Sequence, residues 1–176
     1  MIPLWSLFTS LHGPTSVNQD GHFLGGDPLF WGSMTSVPNL LIAAGLWGTR
    51  LLLYTPAGRT ARIGYVLLLI GLTVPAVVDL ATLTLGPPLL LPAVAVGLIL
   101  LAVGHRSSQS LPGASRRALF SLGAVLLLGF MWALVSNEIT DPMQGYRIFG
   151  IITSVLGGAG WMAVGVSLPR HVTRRG

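Results

Sequence analysis

The sequence predicts an all-α fold, a polytopic integral membrane bundle of five transmembrane helices with the N-terminus outside and the C-terminus cytoplasmic. Three observations carry that expectation. Hydrophobic residues are 52% of the 176-residue chain and charged residues only 9%, where a soluble domain carries roughly 25% charged residues. Five apolar runs can be drawn, 38–54, 63–85, 89–104, 117–137 and 146–168, and a span needs about 20 such residues. The arginines fall in alternate connections, the pattern that sets orientation in membranes.

Residues 1–37 are read as an extracytoplasmic segment, interfacial or looped. Its opening, MIPLWSLFTSLHGP, lacks the basic start and small-residue cleavage site of a signal peptide. The stretch HGPTSVNQDGHFLGGDPLFWGS is rich in turn formers, and Phe30 and Trp31 suit the headgroup level, where amphipathic rings collect. Runs one and three are short, about 24 to 26 Å at about 1.5 Å per residue against a hydrocarbon core of about 30 Å. They take length from flanking residues or sit in thinned bilayer. Gly86-Pro87-Pro88 is a tight turn that makes runs two and three a hairpin. Pro92 apart, run three is featureless and is expected to face lipid.

Runs four and five carry small residues at helical spacing, Gly129, Ala133 and Asn137 in one and Gly150, Ser154 and Gly158 in the other. Small residues let backbones approach closely in lipid, so these helices are expected to pack on each other in preference to forming a homodimer seam. Residues 38–168 thus make the membrane domain and 169–176 a basic cytoplasmic tail.

Orientation follows from charge. Loop 55–62 holds Arg59 and Arg62, loop 105–117 holds Arg106, Arg116 and Arg117, and the tail holds Arg170, Arg174 and Arg175. With five spans these all fall on one side, the cytoplasmic one, and Arg50 snorkels to the same surface. The acids sort oppositely: Asp20, Asp27, Glu138 and Asp141 lie outside, Asp79 lies near the outer end of its helix, and Arg147 is the sole base there. The expected location is a cell membrane crossed several times, a bacterial plasma membrane. The net charge of +5 does not point to nucleic acid, because the arginines punctuate apolar runs and form no basic face. The chain has no cysteine, which excludes disulfides, thiolate metal sites and a cysteine nucleophile.

The candidate site grows from Asp79, an acid within an apolar run. On a helix it shares a face with Leu72, Pro75, Ala76, Thr82 and Leu83, smaller and more polar than the opposite face and so expected to point inward. An acid at that depth requires a partner, water or a proton. Asn39, Asn137, Glu138, Asp141 and Arg147 are predicted at similar depth, with Trp132 on the wall. These residues form a candidate polar pocket open to the outer face. Asp79 and Glu138 are the candidate acid and base, with Asn39, Trp132, Asn137, Asp141 and Arg147 as ligand-binding residues and Arg147 as an anion anchor. The competing expectation is that Asp79 pairs simply to lock the bundle.

All four histidines, His12, His22, His105 and His171, are placed outside the spans, which disfavours a membrane haem. His12 and His22 with Asp20 and Asp27 match no metal-ligand spacing, and no metal or cofactor is expected. No nucleophile elbow, Walker pattern or dinucleotide fingerprint occurs. The leading functional expectation is therefore an accessory or assembly subunit, or a homo-oligomeric membrane component, whose partners are membrane lipid and a protein partner or further copies of itself. The alternative is a membrane enzyme or binding protein for a lipophilic small molecule, using the pocket. A third is a proton-coupled small-molecule carrier titrating Asp79, weakened because the site lies off the midplane and no repeat is visible.

Overall fold

The computed structural model describes residues 28–82, 89–108, 111–136 and 152–168, and among these all regular structure is helical. The elements are α1 (Pro28–Gly48), a single turn α2 (Arg50–Leu53), α3 (Arg59–Thr82), α4 (Leu91–Ser108), α5 (Gly113–Val135), a π-helical turn (Ile152–Leu156) and α6 (Gly157–Ser167). The main packing partners are chain neighbours: α1 on α3, α3 on α4, α4 on α5, and α5 on α6 with its π-turn. The hairpin expected of runs two and three is therefore observed, while its turn lies outside the described residues.

Helix α1 begins ten residues before the apolar run that announced it, at Pro28. Proline suits the first helical position, where its missing N–H has no intrahelical partner to lose. The helix is interrupted at Thr49, whose N–H and Oγ1 both reach back to the Leu46 carbonyl, at 3.1 and 3.0 Å. A threonine hydroxyl competing for helix carbonyls favours such a break. Run five also differs from one continuous α-helix. Ile152–Leu156 is π-helical before α6 starts at Gly157, a type of irregularity that glycine, with its low helix propensity, accommodates.

The seam between α3 and α4 is the closest in the fold. A Cβ on Gly64 would stand 2.6 Å from the Gly97 carbonyl oxygen, and one on Gly97 would stand 2.8 Å from that of Gly64. A Cβ on Gly104 would collide with the Ala61 backbone, and one on Gly71 would lie 2.7 Å from Val94. The seam residues are thus Ala61, Gly64, Leu68 and Gly71 against Val94, Gly97, Leu101 and Gly104. Both rows run at intervals of three, four and three, the spacing of one helix face. Large residues fill the space beside glycines: Leu68 and Leu101 are both fully buried.

Helix α4 has a second buried face, Ala95, Leu98 and Ala102, turned to α5. There a Cβ on Gly123 would come 2.7 Å from the Ala95 carbonyl oxygen. The expectation that run three faces lipid is overturned: α4 is the central helix, packed on both sides. Hydrophobicity could not reveal this, because in such a chain the protein-facing and outward faces are equally apolar. The informative signal was the seven-residue spacing of Gly97 and Gly104.

The packing expected between runs four and five is present. Gly129 approaches Ile152, Gly157 approaches Leu126 and Gly160 approaches Leu122. The glycines of the last helix in close contact are Gly157 and Gly160; Gly158 is half-buried, and Gly150 and the Ser154 side chain lie outside the described residues.

The outward surfaces are apolar as well. On α3, Ile63, Val66, Ile70, Val74 and Val77 repeat every three or four residues and are each about half exposed. A soluble helix would carry polar residues along that stripe. Two helical stretches, Arg59–Ala81 and Gly113–Val135, each 23 residues, are long and apolar enough to cross a membrane, and the fold is compatible with membrane association on that account.

Adding a methyl group at the seam is expected to be costly and adding one elsewhere harmless. Gly64→Ala and Gly104→Ala each lose about 1–3 kcal/mol through overpacking. Gly45→Ala, whose Cβ would meet nothing within 4 Å, changes stability by no more than about 1 kcal/mol, in the stabilising direction. Unfolding of the three variants in detergent, followed by circular dichroism, distinguishes these outcomes.

Candidate functional site

Asp79 lies on α3 in a half-buried position. Of the face predicted for it, Leu72 and Ala76 are buried and Pro75 half-buried, whereas Val74, Val77 and Val78 are exposed; the Thr82 side chain and Leu83 lie outside the described residues. The helix runs through Pro75 as a single element. Asn39 is half-buried on α1, which packs against α3. Trp132 is 47% exposed on α5, on the side that carries Leu128 and Val135, since residues three and four apart share a face. Asn137, Glu138, Asp141 and Arg147 lie outside the described residues, as do His12, His22, Asp20 and Asp27. Among the described residues no group of three or more His, Asp or Glu side chains is placed to hold a metal ion.

The polar contacts that are described concentrate at the opposite, arginine-bearing end. His105 is fully buried inside α4, and its Nε2 lies 2.9 Å from the Leu53 carbonyl oxygen. A carbonyl only accepts, so this nitrogen carries the proton. His105 therefore lies within α4, not in the connection expected to begin at residue 105. The helix extends past the apolar run, and His105 follows Leu98 and Ala102 on one buried face.

Tyr65, also buried, donates its hydroxyl to the Leu46 carbonyl at 2.8 Å. Its ring lies 5.6 Å from that of Tyr54. Tyr65 belongs to the buried row Ala61, Tyr65, Leu68 and Leu72. That row at helical spacing was the signal by which sequence reasoning could have found it.

These two side chains meet the backbone where α1 is broken. Carbonyls at a helix end lack the full set of intrahelical donors and accept bonds from elsewhere. Tyr65 from α3 adds a bond to Leu46 in the last turn of α1, and His105 from α4 bonds Leu53 at the end of α2, tying both helix ends to their neighbours. Around the same end, the Arg50 guanidinium sits 5.3 Å from the Trp47 ring and that of Arg62 sits 5.4 Å from Tyr54, within cation–π range. Ser115 at the start of α5 donates to the carbonyl of Ser167 at the end of α6. The end of α6 is thereby placed at the same end as the two arginine loops.

Chemically, this end holds helices in register. A buried imidazole committed to one carbonyl and a phenol committed to another act as donors to the backbone. Removing them has different costs. Tyr65→Phe is expected to lose about 1 kcal/mol, the net worth of a hydrogen bond, because Leu46 keeps its bonds from Thr49. His105→Leu, which leaves the Leu53 carbonyl without this donor, is expected to lose about 1–3 kcal/mol. Detergent unfolding of both variants tests the order; equal stability with the wild type would remove the role given to these residues. In comparisons with known proteins, no protein-family model, no curated protein and no solved structure matches the chain.

Proposed function

We propose that the chain is a multi-pass cell-membrane protein of five spans, formed by α1, α3, α4, α5 and the last helix. Its arginine end is cytoplasmic and its N-terminal side is outside. In that setting it serves as an accessory or assembly subunit, or as a homo-oligomeric membrane component, whose polar side chains hold helices together. The observation that carries this reading is the use made of the polar groups. The described bonds of Thr49, Tyr65, Thr73, Ser115 and Ser167, and that of His105 to Leu53, end on backbone carbonyls. Apolar side chains occupy both the interior and the outward stripes, which suits lipid surroundings.

A second reading keeps a membrane enzyme or binding protein for a lipophilic small molecule, with Asp79 as its acid or base and Glu138 and Arg147 beside it. One observation favours it. Ser36, on the helix that packs against α3, is 1% exposed, and its hydroxyl has no partner among the described residues. A buried donor without a partner is costly, and a ligand's polar group would satisfy it.

Native mass spectrometry of the protein gently extracted from its own membrane separates the two. A second polypeptide or a bare oligomer is the expected result. A stoichiometric small molecule that is lost from Asp79→Asn would replace the first reading with the second.

A further inference from the structure

The arginine end carries a surplus of positive charge that no described residue neutralises. Arg50 follows α1, Arg59 and Arg62 open α3, Arg106 closes α4, and Arg116 and Arg117 open α5. From residue 28 to residue 137 the sequence contains one acid, Asp79. It lies 17 residues along α3 from Arg62, roughly 25 Å at about 1.5 Å per residue. Six guanidinium groups therefore share one end of the bundle with no carboxylate in reach among the described residues.

Among the described residues their hydrogen-bonding capacity is largely unspent as well. A guanidinium offers five N–H donors. Arg62 gives one to the Thr55 carbonyl at 3.4 Å, and Arg116 gives one to the Arg106 carbonyl at 3.4 Å, both beyond the usual range of about 2.7–3.2 Å. The Nε of Arg116 is buried and has no partner among the described residues. The Arg116 contact brings Arg106 and Arg116 side by side at the α4–α5 junction.

What lies next to these charges defines the occupant. Within a turn of the arginines the helices expose Ile63 beside Arg62, Val103 before Arg106 and Phe120 after Arg116. Trp47 and Tyr54, 58% and 39% exposed, lie under Arg50 and Arg62. Amphipathic rings at the level of the charges, with apolar surface on one side of them, are the arrangement of a membrane interface. An anionic phospholipid matches both halves of this surface: its phosphate meets the guanidinium groups, which bind phosphate in a bidentate fashion, and its acyl chains lie along the apolar stripe.

We infer that the end of the bundle bearing Arg62, Arg106 and Arg116 binds the headgroups of anionic phospholipids, selecting them over zwitterionic ones. The inference rests on the membrane reading above and adds to it a ligand class and a place. Juxtamembrane arginines of this kind attract anionic lipid by roughly fivefold in affinity per charge.

The test uses the purified full chain in detergent micelles containing equal amounts of phosphatidylglycerol and phosphatidylcholine, with retained lipids counted by native mass spectrometry. The expected result is a preference for phosphatidylglycerol of about fivefold or more, which falls as salt is raised because exposed charges are screened. Arg106→Gln with Arg116→Gln is expected to remove most of that preference. The corresponding double lysine variant, which keeps the charges, retains most of it and shows that loss in the glutamine variant is not a folding defect. Equal retention of the two lipids by the wild type overturns the inference and leaves the membrane reading standing. So does a preference unchanged in the glutamine variant, or an acidic polypeptide occupying this end in place of lipid. Retention of neither lipid, by a protein that stays monodisperse without detergent, overturns both.

Discussion

The close approach of the α3 and α4 backbones is the constraint on which the rest of the structure depends. In the membrane setting proposed above, burying an apolar side chain against another helix gains little over leaving it against acyl chains, so association relies on packing at short range. Gly64, Gly97 and Gly104 allow the two backbones to come within distances that no Cβ would permit. Once α4 is fixed there, its opposite face with Ala95 and Leu98 is presented to α5, where Gly123 repeats the same device on a smaller scale. Gly129, Gly157 and Gly160 repeat it again between α5 and the last helix. The bundle is a series of such seams passed from each helix to the next.

The two ends of this series are chemically different. At one end, Tyr65 and His105 bond the carbonyls of Leu46 and Leu53 on either side of Thr49, and Arg50 and Arg62 lie over Trp47 and Tyr54. Near the other lies Asp79, half-buried on the inward face of α3. Among the described residues no carboxylate lies at the arginine end.

Much of this was legible in the sequence. The helical class, the hairpin of runs two and three, the inward turn of the Asp79 face and the pairing of the last two helices all follow from apolar periodicity, proline and small-residue spacing. The centrality of α4 was not legible from hydrophobicity, because a helix buried in protein and a helix facing lipid are both apolar all round. Its glycines, seven residues apart, carried the information. The loop expected from residue 105 begins later for a related reason: the helix continues to Ser108, beyond the apolar run, and a histidine after a glycine resembles the start of a loop. The candidate pocket was only partly placed. Asn39, Asp79 and Trp132 are described and Asn137, Glu138, Asp141 and Arg147 are not, so the meeting of these residues stands as a proposal.

The most direct test of the account is the surroundings of α4 in the membrane. The chain has no native cysteine, so single cysteines at 95, 96, 98, 101 and 103 can be probed with a lipid-soluble maleimide in intact membranes. Val96 and Val103 are outward-facing, at 38% and 49% exposure, whereas Ala95, Leu98 and Leu101 are fully buried. The account predicts labelling at 96 and 103 and protection at 95, 98 and 101. Uniform labelling around the helix would contradict it, and would return α4 to the lipid-facing edge of the bundle.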